Sequence, residues 1–375
     1  MARAPSREPA RGSAESRRAV YVAAGTLAVL LALGFGWYLH ALGADARRTL
    51  RVAILQPNWT LAEKKHATPE QRKKLLGRLD ADLRKIPRDR YDLVVASEGT
   101  FPLLWRVDAD TAPADDAQVA ATRVIARAIA EGPHTEAIIG GLRAGDVLDA
   151  AAAAASPTAR APRPPARKTH NSAVHLAADG RIVDHYDKRV LVPFSEYLPF
   201  SDLIPALKNA VSGIGNFDPG TTSCRFVVAG VPMGCGICYE TMFADEMRAS
   251  VGDDARVLLN LTIDTWFGKT VAPEMHLMAH ASRAVELGIP LVRAALTGIS
   301  ALVSPTGEVV ASMPVDGEGV LAVDVPITDL ATPYRAMGPV FAWVAAALVV
   351  VALAEAFRRR RELFPPRVVK PTVDA

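Results

Sequence analysis

Short apolar runs alternate along the chain with segments in which apolar residues recur every three or four positions. Continuous runs rich in Val, Ile and Leu are typical of buried strands, and such runs occupy 51–57, 91–97, 136–142, 225–237, 256–262 and 291–296. Helical spacing follows Thr68 and Pro69, which suit the N-cap and the first turn of a helix, and it recurs over 116–131 and 273–287. The pattern predicts an α/β domain with a layered sheet core.

Turn residues between alternating runs predict hairpins in two places. Residues 172–186 carry Asp-Gly and residues 299–313 carry Thr-Gly between runs that alternate apolar and polar side chains, which is typical of paired antiparallel strands. Residues 145–168 are rich in Ala and Pro and have no apolar period, so we expect a solvent-exposed loop there. We therefore predict one folded domain over 50–328 with a disordered insertion loop at 143–168.

Two longer apolar runs lie outside this domain, one near each end of the chain. From Ala19 to Ala44 there are 26 residues without Asp, Glu, Lys or Arg, and from Ala336 to Ala354 there are 19. A helix needs about 20 apolar residues to cross a bilayer, so both runs are long enough. We predict transmembrane helices at 19–42 and 337–357.

Arginine-rich segments flank the two apolar runs on their outer sides. Residues 1–18 contain five arginines, and residues 358–375 begin with four in succession. Short basic flanks remain on the cytoplasmic side, which predicts cytoplasmic termini and, for a bacterial inner-membrane protein, a periplasmic domain between them. A cleaved signal peptide is the alternative for the first run, because ALGADA offers small residues at cleavage positions, although the run exceeds the usual apolar length of about 7–15 residues.

The overall charge is close to neutral, with a formal net charge of +3 over 375 residues, of which 22% are charged. The excess positive charge lies in the two terminal segments rather than in the domain between them. Proteins that bind nucleic acid usually carry a clustered basic face, so we expect no nucleic-acid partner.

The sequence GCGICYET at 234–241 contains two of the three cysteines, Cys235 and Cys238, and the third is Cys224. Strand positions three apart lie roughly 10 Å apart, whereas a disulfide tolerates about 7 Å between Cα atoms. Zinc would need further Cys or His ligands at motif spacing, and we therefore expect no metal. Two interpretations remain: a nucleophile at Cys238, where a strand turns into a helix-like segment, or buried cysteines that serve as small apolar side chains.

A cysteine nucleophile needs a base that takes its proton and a cation or backbone donors that stabilise the oxyanion formed on the substrate. Glu98 closes the apolar strand YDLVVAS, and Lys188 ends another strand in a segment rich in apolar and aromatic residues. Both are therefore candidate partners of Cys238. Taken singly, each is more commonly a surface charge.

Five separated motifs carry further information: SEGTFP with Glu98, YDKRVLVPFSEYLPF with Lys188, GICYET with Cys238, NLTIDTWFG, and HASRAVELGIPLVRAALTGISALVSPTG. Together they resemble the carbon–nitrogen hydrolase (nitrilase) superfamily, and specifically its membrane branch, the apolipoprotein N-acyltransferases. The motifs follow the family's order between about residues 51 and 326. The resemblance implies an αββα sandwich, here flanked by one N-terminal and one C-terminal transmembrane helix.

The resemblance also implies roles for individual residues. Glu98 corresponds to the family's general base, Lys188 to its oxyanion-stabilising lysine and Cys238 to its nucleophile. Glu196 corresponds to a glutamate that orients the catalytic lysine and the base. Three further residues match motifs that lie close to the site in the family: Tyr239, Glu240 and Trp266.

In the family that the motifs resemble, the acyl donor is a membrane phospholipid and the acceptor is the N-terminal amine of an apolipoprotein. The implied chemistry is a thioester on Cys238 followed by transfer of the acyl chain to the amine, without a cofactor, metal or nucleotide. The expected partners are therefore phospholipid, apolipoprotein and the bilayer. Residues 197–215 repeat apolar side chains every three or four positions, which predicts either a lid that touches the bilayer or a helix packed on the domain.

Two alternatives remain open at this point. Members of this branch usually have several transmembrane helices before the catalytic domain, whereas the apolar pattern here predicts one. The chain is therefore also compatible with a membrane-tethered amidase that hydrolyses a small amide, with water as the second nucleophile. It is equally compatible with a non-catalytic scaffold, or with a subunit that completes a split acyltransferase together with a separate membrane protein.

Overall fold

A computed structural model describes residues 12–41, 48–60, 63, 67–109, 116–147, 167–200, 215–328, 330 and 332–363. These residues form two six-stranded sheets. The first sheet contains β1 (Thr49–Gln56), β2 (Leu93–Trp105), β3 (Glu136–Val147), β4 (Arg167–Leu176), β5 (Ile182–Asp187) and β12 (Gly319–Pro326). The second contains β6 (Phe226–Val228), β7 (Val231–Ile237), β8 (Val257–Thr262), β9 (Leu291–Ala295), β10 (Ser300–Val303) and β11 (Val309–Met313).

Each sheet has parallel strands at its centre and antiparallel strands at its edges. The strand order is β12-β1-β2-β3-β4-β5 in one sheet and β11-β10-β9-β8-β7-β6 in the other. The pairs β1–β2 and β2–β3 are parallel, as are β7–β8 and β8–β9. The carboxyl ends of the central strands therefore lie together at one end of each sheet, which we call the carboxyl end of the domain.

The described helices are α1 (Gly12–Ala41), α2 (Pro69–Lys85), α3 (Ala117–Glu131), α4 (Ala244–Val251), α5 (Ala272–Leu287), α6 (Pro333–Met337) and α7 (Val340–Leu363). Local sequence explains where α2 and α3 begin. Thr68 caps α2 by accepting a hydrogen bond from the Gln71 backbone N–H, and the Gln71 side chain bonds back to Thr68. Asp116 caps α3 in a similar way, because its carboxylate accepts from the Gln118 backbone. Both caps satisfy N–H groups that no helical carbonyl can reach.

Three buried apolar clusters show that the elements stack as helix, sheet, sheet and helix layers. Side chains of α2 and α3, including Leu79 and Ile125, pack on the outer face of the first sheet. A second cluster fills the space between the two sheets. The third joins α4 and α5 to the outer face of the second sheet, for example through Met247 and Leu277. The predicted α/β architecture with two sheets and covering helices is confirmed.

The prediction of one strand over 225–237 is wrong. The segment forms a hairpin, β6 and β7, in which Phe226 pairs with Met233. The chain reverses at Ala229 and Gly230, which both have positive φ, of 48° and 74°. Two successive left-handed residues match the twist of a two-residue hairpin. The long apolar run concealed this turn because both strands are largely apolar and buried.

Other predicted boundaries shift by a few residues. Strand β2 continues past Glu98 to Trp105, with irregular register between Ala96 and Phe101. The insertion predicted at 143–168 is shorter, because β3 extends to Val147 and β4 begins at Arg167. Residues 148–166 and most of the predicted lid, 201–214, lie outside the described residues.

Helices occur at both of the predicted transmembrane positions. Helix α7 contains the stretch Val340–Arg358, 19 residues with a mean hydropathy of 2.4, which is long and apolar enough to cross a bilayer. Helix α1 begins at Gly12 rather than at residue 19, and its described side chains include a shorter apolar stretch, Tyr21–Leu31. One helix therefore meets the criterion for spanning among the residues described, and the second span stays a prediction.

Replacing Leu79 with Ala should destabilise the domain by about 2–5 kcal/mol, because the Leu79 side chain is fully buried between α2 and the first sheet and its loss leaves a cavity. Urea unfolding followed by circular dichroism measures this change. Lys74→Ala, at an exposed position of the same helix, is the matched control and should change the free energy of unfolding by less than about 0.5 kcal/mol. Equal effects of the two substitutions would contradict the assigned packing of α2.

Candidate active site

The three residues predicted as a triad come from three different strands at the carboxyl end of the domain. Glu98 lies on β2 just after its parallel pairing with β1, and Lys188 directly follows β5. Cys238 directly follows β7 in the opposite sheet. The two sheets meet at this end, because the backbone N–H of Ile263, just beyond β8, donates to Oε2 of Glu98 at 3.0 Å. The candidate site therefore lies between the ends of the two sheets.

Lys188 is buried against two carboxylates. Its side chain is 0% exposed, and Nζ lies 2.9 Å from Oε2 of Glu196 and 3.7 Å from Oε1 of Glu98. Burial alone would lower the pKa of the Lys188 ammonium, but the negative charge of Glu98, assisted by its other neighbours, raises that pKa above its usual value. The site therefore contains a fixed positive charge that water does not screen.

Asn171 joins the two carboxylates and was missed by the sequence analysis. Its Nδ2 donates to Oε1 of Glu98 at 2.6 Å and to Oε1 of Glu196 at 2.8 Å. Both donors of one amide group are used, so the two carboxylates are held at a fixed separation around Lys188. The available signal was a polar amide directly before the hairpin predicted at 172–186. In the structure this position lies within β4 and is 4% exposed, and a buried polar group needs partners.

Cys238 sits at the sharp turn where β7 ends and the short 3₁₀ helix Cys238–Met242 begins. Its φ of 53° is left-handed, a conformation that costs energy for a side chain other than glycine and is often found at functional sites. The residue is half-buried, whereas Cys224 and Cys235 are buried. Cys238 is thus the cysteine with an accessible side chain.

The charged groups around Cys238 shift the pKa of its thiol in opposite directions. Burial and the Glu98 carboxylate raise the pKa of the Cys238 thiol to about 12, although the Lys188 ammonium acts in the opposite direction. A hydrogen bond with Thr262 also acts to lower this pKa. At neutral pH the free thiol therefore holds its proton, and a base must remove that proton when the sulfur reacts.

Glu240 connects the segment that carries Lys188 to the turn that carries Cys238. It is fully buried, and its Oε2 accepts from the Ile237 backbone at 3.0 Å. Its Oε1 accepts from the backbone N–H groups of Arg189 and Val190 at 2.7 and 3.1 Å. Burial raises the pKa of the Glu240 carboxyl against the opposing effect of these donors. Glu240 therefore ties the two catalytic segments together rather than facing the pocket as a free acid.

The remaining two sequence candidates are Tyr239 and Trp266. Tyr239 is half-buried and packs edge-on against Phe243, with 5.0 Å between ring centroids. Trp266 lies in the short 3₁₀ turn Thr265–Phe267, and 54% of its surface is exposed. The structure thus brings Glu98, Lys188 and Glu196 into contact beside Cys238, and it leaves Trp266 largely in solvent.

A buried ion pair fixes the segment that contacts both Cys238 and Glu98. Asp264 is 2% exposed; its Oδ2 lies 2.9 Å from the guanidinium of Arg293, and its Oδ1 lies 2.9 Å from Nδ1 of His276. Although burial opposes ionisation, the hydrogen bond with His276 and the charge of Arg293 hold the pKa of Asp264 below its usual value. Thr262 donates to Oδ1 of Asp264 at 3.3 Å. The ion pair therefore holds in place Thr262 and the backbone of Ile263, which touch the candidate nucleophile and base.

Comparison with known proteins agrees with this geometry. Residues 51–333 match the sequence profile of the carbon-nitrogen hydrolase family. The chain belongs to the carbon–nitrogen hydrolase, or nitrilase, family of enzymes. Within that family it falls in the branch that resembles apolipoprotein N-acyltransferases, and the resemblance found in the sequence motifs is confirmed.

Two curated relatives illustrate the similarity. The apolipoprotein N-acyltransferase of Geobacter metallireducens is 38% identical over 190 residues, which are 51% of this chain and 36% of the relative. That of Allorhizobium ampelinum is 33% identical over 293 residues, which are 77% of this chain and 50% of the relative. The chain thus spans between about a third and a half of the length of these relatives.

A solved structure supports the fold. A mutant of the amidase from Nesterenkonia AN1, of the nitrilase superfamily, superposes with a TM-score of 0.50 at 19% sequence identity. The superposition covers 75% of this chain and 93% of the amidase. At this identity the likeness concerns the fold alone.

Replacing Thr262 with Val should make Cys238 less reactive at a given pH, because the hydroxyl that stabilises the thiolate is lost while the side-chain shape is kept. A hydrogen bond to a charged group contributes about 1.5–3 kcal/mol, and about 1.4 kcal/mol corresponds to a factor of ten. Alkylation of Cys238 by iodoacetamide, followed by peptide mass spectrometry, should therefore slow about tenfold. Thr262→Ser should restore the rate, and an unchanged rate in Thr262→Val would exclude contact between the hydroxyl and the sulfur.

Replacing Glu98 with Gln should separate thiol ionisation from catalysis. The carboxylate raises the pKa of the Cys238 thiol, so its removal should lower that pKa and increase the thiolate fraction at any pH below about 12. The alkylation profile of Cys238 should therefore shift to lower pH, while turnover is lost because no base remains. Glu70→Gln, at an exposed position of α2, should change neither. A shift to higher pH in Glu98→Gln would contradict the assigned electrostatics.

Proposed function

We propose that the chain is a membrane-anchored acyltransferase that moves an acyl chain from a phospholipid to the N-terminal amine of apolipoproteins through a thioester on Cys238. The observation that carries the proposal is the buried contact of Lys188 with Glu98 and Glu196 beside Cys238. Similarity to apolipoprotein N-acyltransferases over 77% of the chain supports the choice of substrates.

The first half-reaction forms the acyl-enzyme. The Cys238 proton passes to Glu98 while the sulfur attacks the ester carbonyl and the carbonyl π electrons move to its oxygen. The Lys188 ammonium and a backbone N–H near Cys238 stabilise the resulting oxyanion. Collapse of this intermediate breaks the bond to the leaving alcohol, which takes the proton from Glu98. A thioester on Cys238 and a lysophospholipid result.

The second half-reaction uses the same groups in reverse. The neutral acceptor amine attacks the thioester carbonyl, and its proton passes to Glu98. The carbon–sulfur bond then breaks, and the sulfur recovers the proton. The α-amine has an ordinary pKa of about 7.7–8.0, so a reactive neutral fraction exists near neutral pH without a strong base.

The charge arrangement suits this cycle. The proton that leaves the sulfur remains inside the pocket on Glu98, so the number of charges near Lys188 does not change when the nucleophile forms. Because the pKa of the Cys238 thiol is about 12, the sulfur loses its proton only as it attacks the substrate. A permanent thiolate would also react with electrophiles dissolved in water.

Membrane anchoring and orientation are part of the proposal. Helix α7 supplies a candidate span, and α1 is the second candidate through residues 19–42 of the prediction. The arginine-rich segments at 1–18 and 358–375 favour cytoplasmic termini. The catalytic domain, 50–328, then faces the periplasm of a bacterial inner membrane, where lipoprotein amines and phospholipid are both present.

Incubation of the purified chain with phospholipid should give an acyl adduct that is visible by intact mass and removed by hydroxylamine. Cys238→Ser should abolish the adduct, because the other two cysteines, Cys224 and Cys235, are buried. Cys235→Ser should retain it, since Cys235 is fully buried between the sheets. An adduct that persists in Cys238→Ser would overturn the choice of nucleophile.

The same experiment distinguishes the competing functions. Ammonia release from simple amides without a lipid adduct would identify a tethered amidase. A requirement for a separate membrane protein would identify a subunit of a split acyltransferase. Failure of both chemistries with Glu98, Lys188 and Cys238 intact would favour a non-catalytic scaffold.

A further inference from the structure

Helix α5 is apolar on two opposite faces. Its inner face, including Leu277, Ala284 and Leu287, is buried against the second sheet. Its outer face carries a stripe of exposed apolar side chains that begins at the N-cap and recurs at helical spacing, with exposures of 70%, 64%, 71% and 38%: Val271, Met275, Met278 and Val285. We call these four residues the α5 stripe. A helix that is apolar all round is normally covered on all sides, so the outer face needs a second cover.

Helix α2 on the other sheet does not share this property. The outward face of α2 exposes charged side chains, including Lys73, Lys74, Arg84 and Lys85. The only acidic or basic residue of α5 that is exposed is Glu274. Among the described residues, the outer face of α5 is therefore chemically different from that of α2, and an exposed row of large apolar side chains is the usual mark of a protein or membrane contact.

The α5 stripe runs between the two ends of the domain. At the first end, α5 begins next to the candidate active site, because His276, near its start, contacts Asp264. At the second end, the Leu330 backbone donates to Gly288 at 3.0 Å, immediately before α6 and α7. A helix of 16 residues is about 24 Å long. The stripe thus connects the site to the base of the candidate membrane helix.

The position of α7 creates a geometric problem for a lipid substrate. Strand β12 ends at Pro326 opposite Thr49, the first residue of β1, so the chain leaves the sheet at the end remote from Cys238. A strand of seven residues such as β7 is about 23 Å long. A domain standing upright on α7 would therefore hold Cys238 more than about 20 Å above the bilayer.

We propose that the catalytic domain lies on its side, with the α5 stripe resting on the lipid surface beside α7. In this position the stripe enters the interfacial layer of the bilayer, and the carboxyl end of the domain comes down to the level of the lipid ester groups. Trp266 and Lys269, which are adjacent to the start of α5 and are 54% and 87% exposed, then lie at the interface. Tryptophan and lysine are favoured there because each combines an apolar body with a polar end.

This inference rests on the proposed membrane anchoring and adds the surface by which the domain meets the lipid. The chemistry of the stripe fits lipid: methionine and valine side chains fill an apolar layer without demanding a shaped partner. The occupant is the bilayer that α7 enters, because Leu330, just before α6 and α7, is hydrogen-bonded to Gly288 at the end of α5. A second copy of the chain is the competing occupant and is an outcome of the test.

Spin labels on the full chain in phospholipid vesicles test the orientation. In a Cys238→Ser background, Met275→Cys and Met278→Cys carry the labels, and Lys74→Cys on α2 and Val227→Cys on β6 are exposed controls. The two stripe labels should be relaxed more strongly by oxygen, which partitions into lipid, than by a water-soluble nickel chelate. The control labels should show the opposite preference. Stripe labels that behave like the controls, or that form disulfide-linked dimers between copies, would overturn the proposal.

A kinetic test complements the spin labels. Met275→Glu combined with Met278→Glu should raise KM for phospholipid in vesicles about tenfold, since two apolar anchors are lost, and should leave kcat and the alkylation rate of Cys238 unchanged. Val124→Glu, at an exposed position of α3, should leave KM unchanged. Equal effects of the two variants would contradict the orientation.

Lipid-exposed stripe labels without an acyl adduct on Cys238 would refute the acyltransferase function alone, and an adduct with water-exposed labels would refute the docking surface alone.

Discussion

The site is organised around one buried ammonium. Lys188 has no exposed side-chain surface, yet it keeps its proton because two carboxylates face it. Removing either partner would leave a charge in a place that water cannot reach, which is costly. The surrounding contacts follow from that constraint: Asn171 fixes the distance between Glu98 and Glu196, and both sheets must close over the cluster to keep it dry. A pocket of this kind stabilises an oxyanion without rearranging when the charge appears.

Cys238, the proposed nucleophile, is positioned by buried polar groups on the segments around it. Glu240 binds the turn after Lys188 to the turn before Cys238. On the other side, the ion pair of Asp264 with Arg293 fixes the end of β8, where Thr262 and the Ile263 backbone touch the reacting residues. These contacts explain why Cys238 can remain in a left-handed conformation, since the segments on either side of it are held independently of its own backbone preference.

The geometry of the sandwich relates this site to the membrane. Parallel strands place the active groups at their carboxyl ends, and the same connectivity sends the chain towards α7 from the opposite end. An enzyme that takes its substrate from the bilayer must bring the carboxyl end of the domain close to the lipid, although α7 is attached at the opposite end. The exposed apolar face of α5 runs between the candidate site and the start of α7. In the proposed orientation this face is the surface of the domain that contacts the bilayer.

Local pattern was enough to predict the longer helices, most strands and a layered α/β fold, because helix caps and periodicity are encoded in neighbouring positions. Together with the motif resemblance it singled out Glu98, Lys188 and Cys238 as candidates. It failed at Ala229-Gly230, where a tight turn is concealed in an apolar run, and it missed Asn171 and Thr262. Their importance depends on sheet register, which joins residues far apart in sequence: Glu98 and Ile263 are separated by 165 positions. Only the closed sandwich decided which polar side chains share a buried pocket, because that depends on strands paired across the whole chain and on two sheets meeting at one end.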